Sequence, residues 1–525
     1  MSRLAWTRGG FLHDVLARGT AAHPDAPALV DGDRASTFAE LGARVAATAA
    51  FVESATRPGA RVAFVGENHW SWVDAYYGVP RAGRVLVFCN HRLAPPELRS
   101  VLERSGATML VGPRDELDRI DPGSTSVTRA LDLDEWERAV TSASPEAGHG
   151  LALPRSDREA AWIIYTSGTT GRSKGAVLTH RSVLAAVRAT DECRVIAPDD
   201  VYLLPFPLCH IAGYNVVHHH ARGIPVVLMP RFDPADFVAG VARHRVTSAS
   251  LAATMLHSLL EHLEEHPEQL ARLATLRLVA YGAAPMPTPL LRRAHAVLGI
   301  DFTQGYGMTE LSGNAVFLDV DAHRRGLAGD DALLRTAGRP APGVEVRVVD
   351  PEDRALPTGE SGEIVVRAEQ VMDRYWEEPA ATATTLGGGW LHTGDVGRFD
   401  AAGNLSIVDR TKDVIVTGGE NVSSLEVEQV LHTVPTVGEV AVVGVPDPRW
   451  GENVCAVVVP RPGATVDPDA LVDAARAHLA GFKVPRHVVV TDALPKNATG
   501  KVVKAEIRAW LADRPELVGE RRERR

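Results

Sequence analysis

Residues 165–175 read YTSGTTGRSKG, a stretch in which three glycines, five serine or threonine hydroxyls and one lysine occupy eleven positions. Glycines let the backbone N–H groups approach an anion closely, and the hydroxyls and Lys174 add further donors and a positive charge. A triphosphate suits this set of donors. The segment before it, AWIIY (161–165), predicts a strand, and the segment after it, AVLTHRSVLAAVRA (176–189), predicts a helix.

The loop fits neither of two common nucleotide-binding motifs. Lys174 is followed by Gly175 rather than by Ser or Thr, and the loop contains no Gly-Lys pair, which excludes a Walker A loop. The spacing of its glycines also differs from that of the dinucleotide motif GxGxxG. The alternative for the stretch taken alone is a flexible Gly/Ser/Thr surface loop without a ligand. The rest of the chain has to decide between these readings.

The composition limits the class of protein. A chain of 525 residues exceeds one hydrophobic core and predicts about three to five domains or subdomains. Acidic residues number 66 and basic residues 56, for a net charge of −10. This charge argues against nucleic acid or an anionic membrane surface as a partner. Any bound phosphate must therefore be held by local groups.

Cysteine usage and apolar runs predict a cytoplasmic protein with no membrane span. The four cysteines, Cys89, Cys193, Cys209 and Cys455, form no CxxC pair, as expected for a reducing compartment. The first residues lack the apolar core of a secretory signal. The longest apolar runs, such as GIPVVLMP (223–230), are far shorter than the roughly 20 residues that cross a bilayer.

Short β-rich runs alternate with helical segments through the first part of the chain. Strands are predicted at RVAFVGEN (61–68), RVLVFCN (84–90), TMLVGP (108–113) and LRLVAYG (276–282), with helices at PPELRSVLERSG (95–106) and at about 234–245. This rhythm is typical of βαβ units with helices on both faces of a largely parallel sheet. The sequence therefore predicts an α/β fold with doubly wound sheets.

The sequence pattern changes twice further along the chain. From about Val344, turn-punctuated strands such as GVEVRVVD, GEIVVRA and GNLSIVD predict a small β subdomain. After Arg410 the pattern becomes that of a smaller α/β domain of roughly 110 residues. We place the boundary between the large N-terminal domain and this C-terminal domain within Asp409–Asp413.

Other motifs could complete a nucleotide site. YGAAPM (281–286) ends a predicted strand with small residues on which a planar base can lie, and QGYGMTE (304–310) combines Tyr306, which can stack on a base, with Glu310, which can hold Mg²⁺. WLHTGDVG (390–397) offers Asp395 for ribose hydroxyls. Taken alone, YGAAPM could be a plain strand-to-helix turn and WLHTGDVG a β-turn, and QGYGMTE need not be functional.

Two further motifs lie near and within the C-terminal domain. DRTKDVIVTGGENVSSLEVE (409–428) joins charged residues to a GGEN turn and to a helix opened by Ser423 or Ser424. PKNATGK (495–501) is a basic, turn-rich loop, for which the alternative is a solvated surface loop. Together the six motifs, in this order and over nearly the whole chain, resemble the adenylate-forming superfamily of acyl-CoA and aryl-CoA ligases, luciferases and nonribosomal adenylation domains.

The resemblance implies a reaction in two steps. A carboxylate attacks the α-phosphate of ATP to give an acyl-adenylate and pyrophosphate, and a thiol then takes the acyl group. It implies ATP, Mg²⁺ and coenzyme A as cofactors, a small carboxylic acid as substrate, and a large N-terminal domain with a mobile, smaller α/β C-terminal domain. CoA is the expected acceptor, since GVPDPRWGE (444–452) matches acyl-CoA ligases; the phosphopantetheine of a carrier protein, another nucleophile or release of the adenylate is the alternative. A homodimer is left open.

The resemblance also implies a role for most motif residues. Those that hold the β- and γ-phosphates are Thr166, Ser167, Gly168, Thr169, Thr170, Gly171 and Lys174. Those around adenine are Gly282, Ala283, Ala284, Gly305, Tyr306 and Gly307. Thr309 contacts the α-phosphate, Glu310 holds Mg²⁺, and Asp395 and Arg410 contact the ribose. Those that reach the thiol tunnel are Gly418, Gly419 and Glu420.

Lys501 is implied to bridge the carboxylate and the α-phosphate. The physical reason is that both reactants are anions, which repel each other unless a cation lies between them. Lys412, two residues after the ribose-contacting arginine, is the implied hinge. The domains would then be residues 1–409, a hinge at 410–412, and residues 413–525. Rotation at the hinge would withdraw Lys501 after the first step and bring the GGEN turn to the thiol.

The acid is expected to be aliphatic or aromatic and apolar at its far end. In PFPLCHIAGYN (205–215), amino-acid-activating relatives carry an aspartate for the substrate ammonium, whereas this chain has Cys209 and His210. His210 matches the residue that gates the acyl pocket of acyl-CoA ligases. Arg324 and Arg325 are left open as partners for a second carboxylate. The run HHH (218–220) is not expected to bind zinc, because consecutive residues do not face one another. Arg374 and Ala368 depart from the pattern, where relatives usually have glycine.

Overall fold

A computed structural model of the chain describes residues 10–143, 154–166, 173–282, 286–410, 413–417, 420–447, 450–497 and 500–514. These residues form two compact units. The first contains the chain up to Val346 together with Val366–Leu391, and the second contains Arg347–Val365 together with the chain from His392 onward. The predicted boundary within Asp409–Asp413 marks the start of the part that is expected to rotate, and it stays a prediction.

Helices occur in both units and follow the capping rules. Thr37, Asp132, Thr179 and Ser423, for example, each accept a hydrogen bond from the third residue of the helix they open. The α-helices are α1 (Leu12–Ala22), α2 (Phe38–Ala55), α3 (Trp70–Arg81), α4 (Pro95–Ser105), α5 (Arg114–Ile120), α6 (Leu133–Ser142), α7 (His180–Cys193), α8 (Tyr214–His220), α9 (Pro234–His244), α10 (Ala253–Glu265), α11 (Thr288–Leu298), α12 (Val320–Leu327), α13 (Asp331–Leu334), α14 (Pro379–Thr385), α15 (Ser424–Leu431), α16 (Pro468–His478) and α17 (Lys504–Ala512).

The strands carry the β-branched and aromatic runs of the sequence. They are β1 (Pro27–Asp31), β2 (Arg34–Thr37), β3 (Arg61–Val65), β4 (Val85–Cys89), β5 (Ala107–Val111), β6 (Arg129–Leu131), β7 (Ala160–Thr166), β8 (Lys174–Thr179), β9 (Tyr202–Leu204), β10 (Val226–Leu228), β11 (Ser248–Ser250), β12 (Leu278–Gly282), β13 (Asp301–Met308), β14 (Gly313–Leu318), β15 (Arg339–Pro340), β16 (Glu345–Val349), β17 (Gly362–Arg367), β18 (Arg374–Tyr375), β19 (Leu391–Phe399), β20 (Leu405–Arg410), β21 (Ile415–Thr417), β22 (Glu420–Val422), β23 (Val437–Asp447), β24 (Gly451–Pro460) and β25 (His487–Val490).

The first unit is built on two sheets. As far as the described residues extend, one has seven strands in the order β18-β8-β7-β4-β3-β5-β6, and the other has nine in the order β15-β14-β13-β12-β11-β9-β10-β1-β2. Neighbours β3, β4, β5 and β7 pair in parallel, as do β9 to β13 in their sheet. The prediction of α/β architecture with largely parallel sheets is confirmed.

Side-chain alternation along β12 decides what each face of the nine-stranded sheet does. Val279 and Tyr281 lie in a core with α9, α10 and α11 that also buries Phe237 and Phe302. The alternate residues, including Gly282, therefore face the opposite side. In parallel sheets ligands bind beyond the carboxyl ends of the strands, and β12 ends at Gly282.

The second unit has a four-stranded sheet, in the order β16-β17-β19-β20, and a sheet in which β22, β21, β24 and β23 follow one another and β25 pairs with β24. Two cores lie on either side of the latter. One packs α15 and α16 on it through Val427 and Leu471, and the other packs α17 through Ile507 and Leu511. The predicted β subdomain and the smaller α/β domain are both present.

One predicted element is wrong. Residues 176–189 were expected to be helical throughout, but Lys174–Thr179 form strand β8, and α7 begins only at His180. β8 pairs antiparallel with β7, with Thr166 opposite Lys174. The YTSGTTGRSKG segment therefore joins a β-hairpin, so the loop has no helix N-terminus behind it. Along the residues that the structure describes, no helix is both long and apolar enough to cross a membrane.

Candidate active site

The phosphate-loop residues that the structure describes lie at the two ends of a hairpin. Thr166 is the last residue of β7 and Lys174 the first of β8. The Thr166 hydroxyl lies 3.4 Å from the Lys174 carbonyl oxygen. Ser167, Gly168, Thr169, Thr170 and Gly171 lie outside the described residues. The antiparallel pairing holds Thr166 and Lys174 at the mouth of the loop, so both can reach one anion.

Glu310 lies beside this mouth. It is buried in a 3₁₀ turn, Thr309–Leu311, that follows β13. The Thr166 hydroxyl is 3.4 Å from Glu310 Oε1, and the Tyr375 hydroxyl donates to the same oxygen over 2.8 Å. Lys174 Nζ lies 5.1 Å from the centre of the Tyr375 ring, within cation–π range. A hydroxyl, an ammonium and a carboxylate thus converge around Tyr375.

Tyr375 was missed by the sequence reasoning. It belongs to β18, which pairs with β8 and lines up Tyr375 with Ala176. The backbone N–H of Trp376 donates to Gly175 over 2.7 Å, and that of Met372 donates to the Glu310 carbonyl over 2.8 Å. Burial, and then the nearby Glu310 carboxylate, raise the pKa of the Tyr375 phenol, so the hydroxyl keeps its proton and donates it.

The sequence around Tyr375 offers one indication of its place. In VMDRYW (371–376), Arg374 stands where relatives usually have glycine, next to two aromatic residues. The Arg374 side chain is exposed and pairs with its neighbour Asp373. An aromatic pair at a departure from the family pattern is the signal that could have identified Tyr375.

The glycines predicted to lie near adenine are required by close backbone packing. Gly282 and Gly305 are register partners on β12 and β13, and a Cβ added to Gly282 would lie 2.5 Å from the Gly305 carbonyl oxygen. A Cβ added to Gly307 would lie 2.0 Å from the carbonyl oxygen of Gly313. Gly282 and Gly305 thus form a strip without side chains on one face of the sheet, and Tyr306 follows Gly305 in β13. Ala283 and Ala284 lie outside the described residues.

His210 stands at a fixed turn after β9. The side chain of Asn68 donates to the carbonyl oxygens of Phe206 and Met229, each over 2.9 Å, and accepts from the Leu208 N–H over 2.6 Å. The Tyr76 hydroxyl donates to the Leu208 carbonyl. His210 then opens a 3₁₀ turn, Ile211–Gly213. Its position is therefore set by buried groups from distant parts of the chain.

The histidine run 218–220 belongs to the core. His219 stacks on Tyr202 with ring centres 3.7 Å apart, and His220 bonds Tyr77 and the Ala28 carbonyl. Burial lowers the pKa of His220 to about 4. No group of three or more His, Cys, Asp or Glu suited to a metal occurs in the part of the chain that the structure describes.

The four cysteines sit in surroundings that disfavour the thiolate. All four are free, and burial raises the pKa of each thiol: to about 12 for Cys209 and Cys455, to about 11 for Cys193, and further for Cys89. Because the thiolate is the nucleophile, burial lowers the reactivity of all four side chains.

In the second unit the ribose candidates are paired. Asp395 lies opposite Arg410 on β19 and β20, and Arg410 Nε is 3.2 Å from Asp395 Oδ1. The Asp395 N–H donates to the Thr393 hydroxyl over 3.1 Å. Asp395 is buried while the Arg410 side chain is 45% exposed. The pair presents a carboxylate and a guanidinium together, both suited to hydroxyl groups.

Lys501 is exposed at the end of a tight loop. Its N–H donates to the Asn497 side chain over 3.0 Å, and its carbonyl accepts from the Asn497 N–H over 2.9 Å. Glu420 begins β22 and lies opposite Thr417. Lys412, Gly418 and Gly419 lie outside the described residues, so their roles stay predictions.

Comparisons with known proteins bear on this arrangement. Residues 16–376 match the family described as AMP-binding enzyme, and residues 426–501 match the AMP-binding enzyme C-terminal domain. The chain belongs to the AMP-binding enzymes. This confirms the predicted adenylate-forming family and its α/β fold with a large and a small domain. The enzyme is thus an AMP-forming acid–thiol ligase of the acyl-CoA synthetase type.

Individual relatives cover nearly the whole of this AMP-binding enzyme. Feruloyl-CoA synthase from an Amycolatopsis species is 38% identical over 492 residues, which are 92% of this chain and 96% of the relative. Fatty acid–[acyl-carrier-protein] ligase ScoC from Streptomyces coeruleorubidus is 36% identical, with 94% and 96% covered. o-Succinylbenzoate CoA synthetase from Bacillus subtilis, solved with an acyl-adenylate intermediate, is 30% identical with a TM-score of 0.81, covering 94% and 97%.

Proposed function

We propose that this AMP-binding enzyme activates an apolar carboxylic acid with ATP and Mg²⁺ and passes the acyl group to coenzyme A. The observation that carries the proposal is that the Thr166 and Tyr375 hydroxyls both lie against Glu310 Oε1, while Lys174 lies over the Tyr375 ring. A hydroxyl and an ammonium at the mouth of the loop suit the β- and γ-phosphates of ATP. Those phosphates leave as pyrophosphate, so the loop holds the leaving group.

The residues fit a magnesium ion. Mg²⁺ prefers oxygen ligands and is usually held by one or two carboxylates together with substrate phosphates. Glu310 supplies a carboxylate beside the loop, and Tyr375 orients it through Oε1. Bound there, Mg²⁺ would neutralise charge on the phosphates during displacement. Tyr306 and the strip at Gly282 and Gly305 would take adenine, Thr309 the α-phosphate, and Asp395 with Arg410 the ribose.

Lys501 is proposed as the cation between the carboxylate and the α-phosphate in the first step. The support is its place in the C-terminal motif, its exposure and the hydrogen bond from its N–H to the Asn497 side chain. Lys412 is proposed as the hinge, and Gly418, Gly419 and Glu420 as the turn that reaches the thiol. The cytoplasmic location and a homodimer remain predictions.

The acid is proposed to carry no ammonium and no second carboxylate. Cys209 is a buried neutral thiol, and a buried ammonium without a carboxylate partner is costly. Arg324 and Arg325 are exposed, and Arg324 already pairs with Asp301 at 2.7 Å. The names of the relatives point to an aryl acid for one and a fatty acid for another. Ferulate and fatty acids of a range of chain lengths are therefore the first acids to test.

The acceptor can be decided in one experiment. Purified enzyme is incubated with ATP, Mg²⁺ and a panel of acids, and with either CoA or a holo-carrier protein, and products are read by mass spectrometry. The proposal expects an acyl-CoA from an aryl or fatty acid. Acylation of the carrier protein alone would favour the function that the name of ScoC describes. Turnover only with an amino acid or a dicarboxylate would contradict the proposed substrate class.

A further inference from the structure

The loop that carries Lys501 leads directly into helix α17. Only Val502 and Val503 separate the lysine from Lys504, the first residue of the helix. The Val503 N–H donates to the Pro495 carbonyl over 2.9 Å and closes the loop, and Gly500 adopts a φ of +80°, which favours glycine. Because only two residues separate Lys501 from α17 and its carbonyl also accepts from the Asn497 N–H, the start of α17 helps to fix where the Lys501 backbone lies.

The start of α17 is held by a buried ion pair. Lys504 Nζ lies 2.7 Å from Oε1 of Glu428 on α15, and the two side chains are 12% and 13% exposed. The same oxygen accepts the N–H of Val442 on β23 over 2.8 Å. Lys504 also donates to the Ser424 hydroxyl at the start of α15. The ammonium thus ties the start of α17 to α15, and the Glu428 carboxylate in turn ties α15 to β23.

This pair is not what makes α17 stable. Ile507 and Leu511 already pack the helix on β23 and β24. A buried ion pair adds little net stability over apolar residues of similar volume, because desolvating both charges is costly. Burial raises the pKa of Glu428 even though Lys504 acts to lower it, which shows that cost. Apolar packing is non-directional, whereas a hydrogen-bonded ion pair fixes position.

All three groups in this contact lie on the C-terminal side of the predicted hinge. Glu428, Val442 and Lys504 all follow Lys412 in the chain, so they would move together with Lys501. One turn further along the same face of α17, Arg508 donates to Asp413 over 2.9 Å. The helix is therefore fixed within the part that is proposed to rotate.

We infer that Lys504 and Glu428 are positioning residues that hold Lys501 in place for the adenylation step. The inference rests on the proposed role of Lys501. It predicts a selective defect: weakening the pair should impair the half-reaction that uses Lys501 and spare the transfer of the acyl group to the thiol.

The test uses a double variant that leaves no buried unpaired charge. Lys504→Met with Glu428→Gln keeps an acceptor for the Val442 N–H and fills the volume of the lysine stem. ATP–pyrophosphate exchange should fall by about 10- to 100-fold, the range that small misplacements of a reacting group produce. Thioester formation from supplied acyl-adenylate and CoA should stay within about twofold of wild type. The single variant Lys504→Arg, which retains the charge, should keep most of the wild-type exchange activity.

A second ion pair that involves helix α15 provides the control variant. Glu426 on α15 pairs with Lys483 at 2.7 Å, and neither contacts the Lys501 loop through a described bond. Lys483→Met with Glu426→Gln should leave both half-reactions within about twofold. Exchange at the wild-type level in the Lys504/Glu428 variant, or an equal loss of both half-reactions, would overturn the inference.

Lys501→Ala distinguishes a failure of the proposed role of Lys501 from a failure of the positioning inference. If Lys501→Ala retains exchange, the proposed role of Lys501 itself is wrong. If Lys501→Ala loses exchange and the Lys504/Glu428 variant keeps it, the role stands and only the positioning inference is wrong.

Discussion

The Tyr375 hydroxyl donates a hydrogen bond to Glu310 Oε1 over 2.8 Å, across 65 residues of sequence. This bond links the strand that lines the phosphate-loop hairpin to the carboxylate proposed to hold Mg²⁺. A residue that orients a metal ligand is worth about 10- to 100-fold in metal affinity or activity. The relationship makes the contribution of Tyr375 measurable.

Tyr375→Phe should raise the Mg²⁺ concentration needed for half-maximal ATP–pyrophosphate exchange by about 10-fold, because Glu310 loses the donor that orients it. The measurement is exchange rate against free Mg²⁺. Tyr77→Phe is the control, since it also removes a buried hydroxyl bond, to His220, away from these residues. An unchanged Mg²⁺ dependence in Tyr375→Phe would contradict the assignment of Glu310.

Asp395→Asn should weaken ATP binding and reduce discrimination against 2′-deoxy-ATP. A carboxylate accepts from both ribose hydroxyls, whereas an amide offers one acceptor oxygen. We expect KM for ATP to rise by about 10-fold, in line with the loss of a charged hydrogen bond. The check is the ratio of kcat/KM for ATP and 2′-deoxy-ATP in both proteins. A ratio as large in the variant as in wild type would remove Asp395 from the ribose site.

Lys412→Pro should separate the two half-reactions. Proline fixes φ near −65° and denies a hinge its rotation, so adenylate formation should persist while thioester formation falls. The measurement is exchange in one assay and acyl-CoA formation in another. Lys483→Pro is unsuitable as a control because it would break a bonded turn, so Lys412→Ala serves instead and should support both steps. Equal loss of both steps in Lys412→Pro would argue against a hinge there.

Acid should destabilise the fold through its buried histidines. His220 is fully buried, and its pKa is lowered from 6.5 to about 4, so the unfolded chain binds a proton that the folded chain does not. Stability is present above pH 6.5 and is lost as pH falls towards 4, by about 2 kcal/mol between pH 7 and pH 5. His220→Gln should therefore show a smaller fall in Tm over that range. His257→Gln, at a partly exposed position on α10, should follow wild type; if His220→Gln does so too, the account of His220 is wrong.

Local patterns predicted most elements well. The strand at Arg61–Val65, the helix at Pro95–Ser105 and the Ser423 cap all lie where their residue types indicate. The exception, Lys174–Thr179, is a short apolar run that suits a helix and a strand equally. What decides it is pairing with β7 on one side and β18 on the other, and local propensity carries no information about those partners.

In the candidate site, too, local motifs identified single residues but not the contacts between distant ones. Motifs pointed to Thr166, Lys174 and Glu310 separately, because each stands in a recognisable pattern. They did not reveal that Tyr375 joins them, or that Glu428 pairs with Lys504, since those contacts span 65 and 76 residues. Contacts of that range depend on the fold as a whole.

The central claim is that Lys501 lies between the two anions of the adenylation step. At about 4 Å and an effective dielectric constant near 20, one such contact is worth on the order of 4 kcal/mol before desolvation. The decisive measurement is ATP–pyrophosphate exchange by Lys501→Ala with an acid that the wild-type enzyme accepts. We predict a fall of about 100-fold or more with ATP binding retained. Exchange near the wild-type rate would contradict the account.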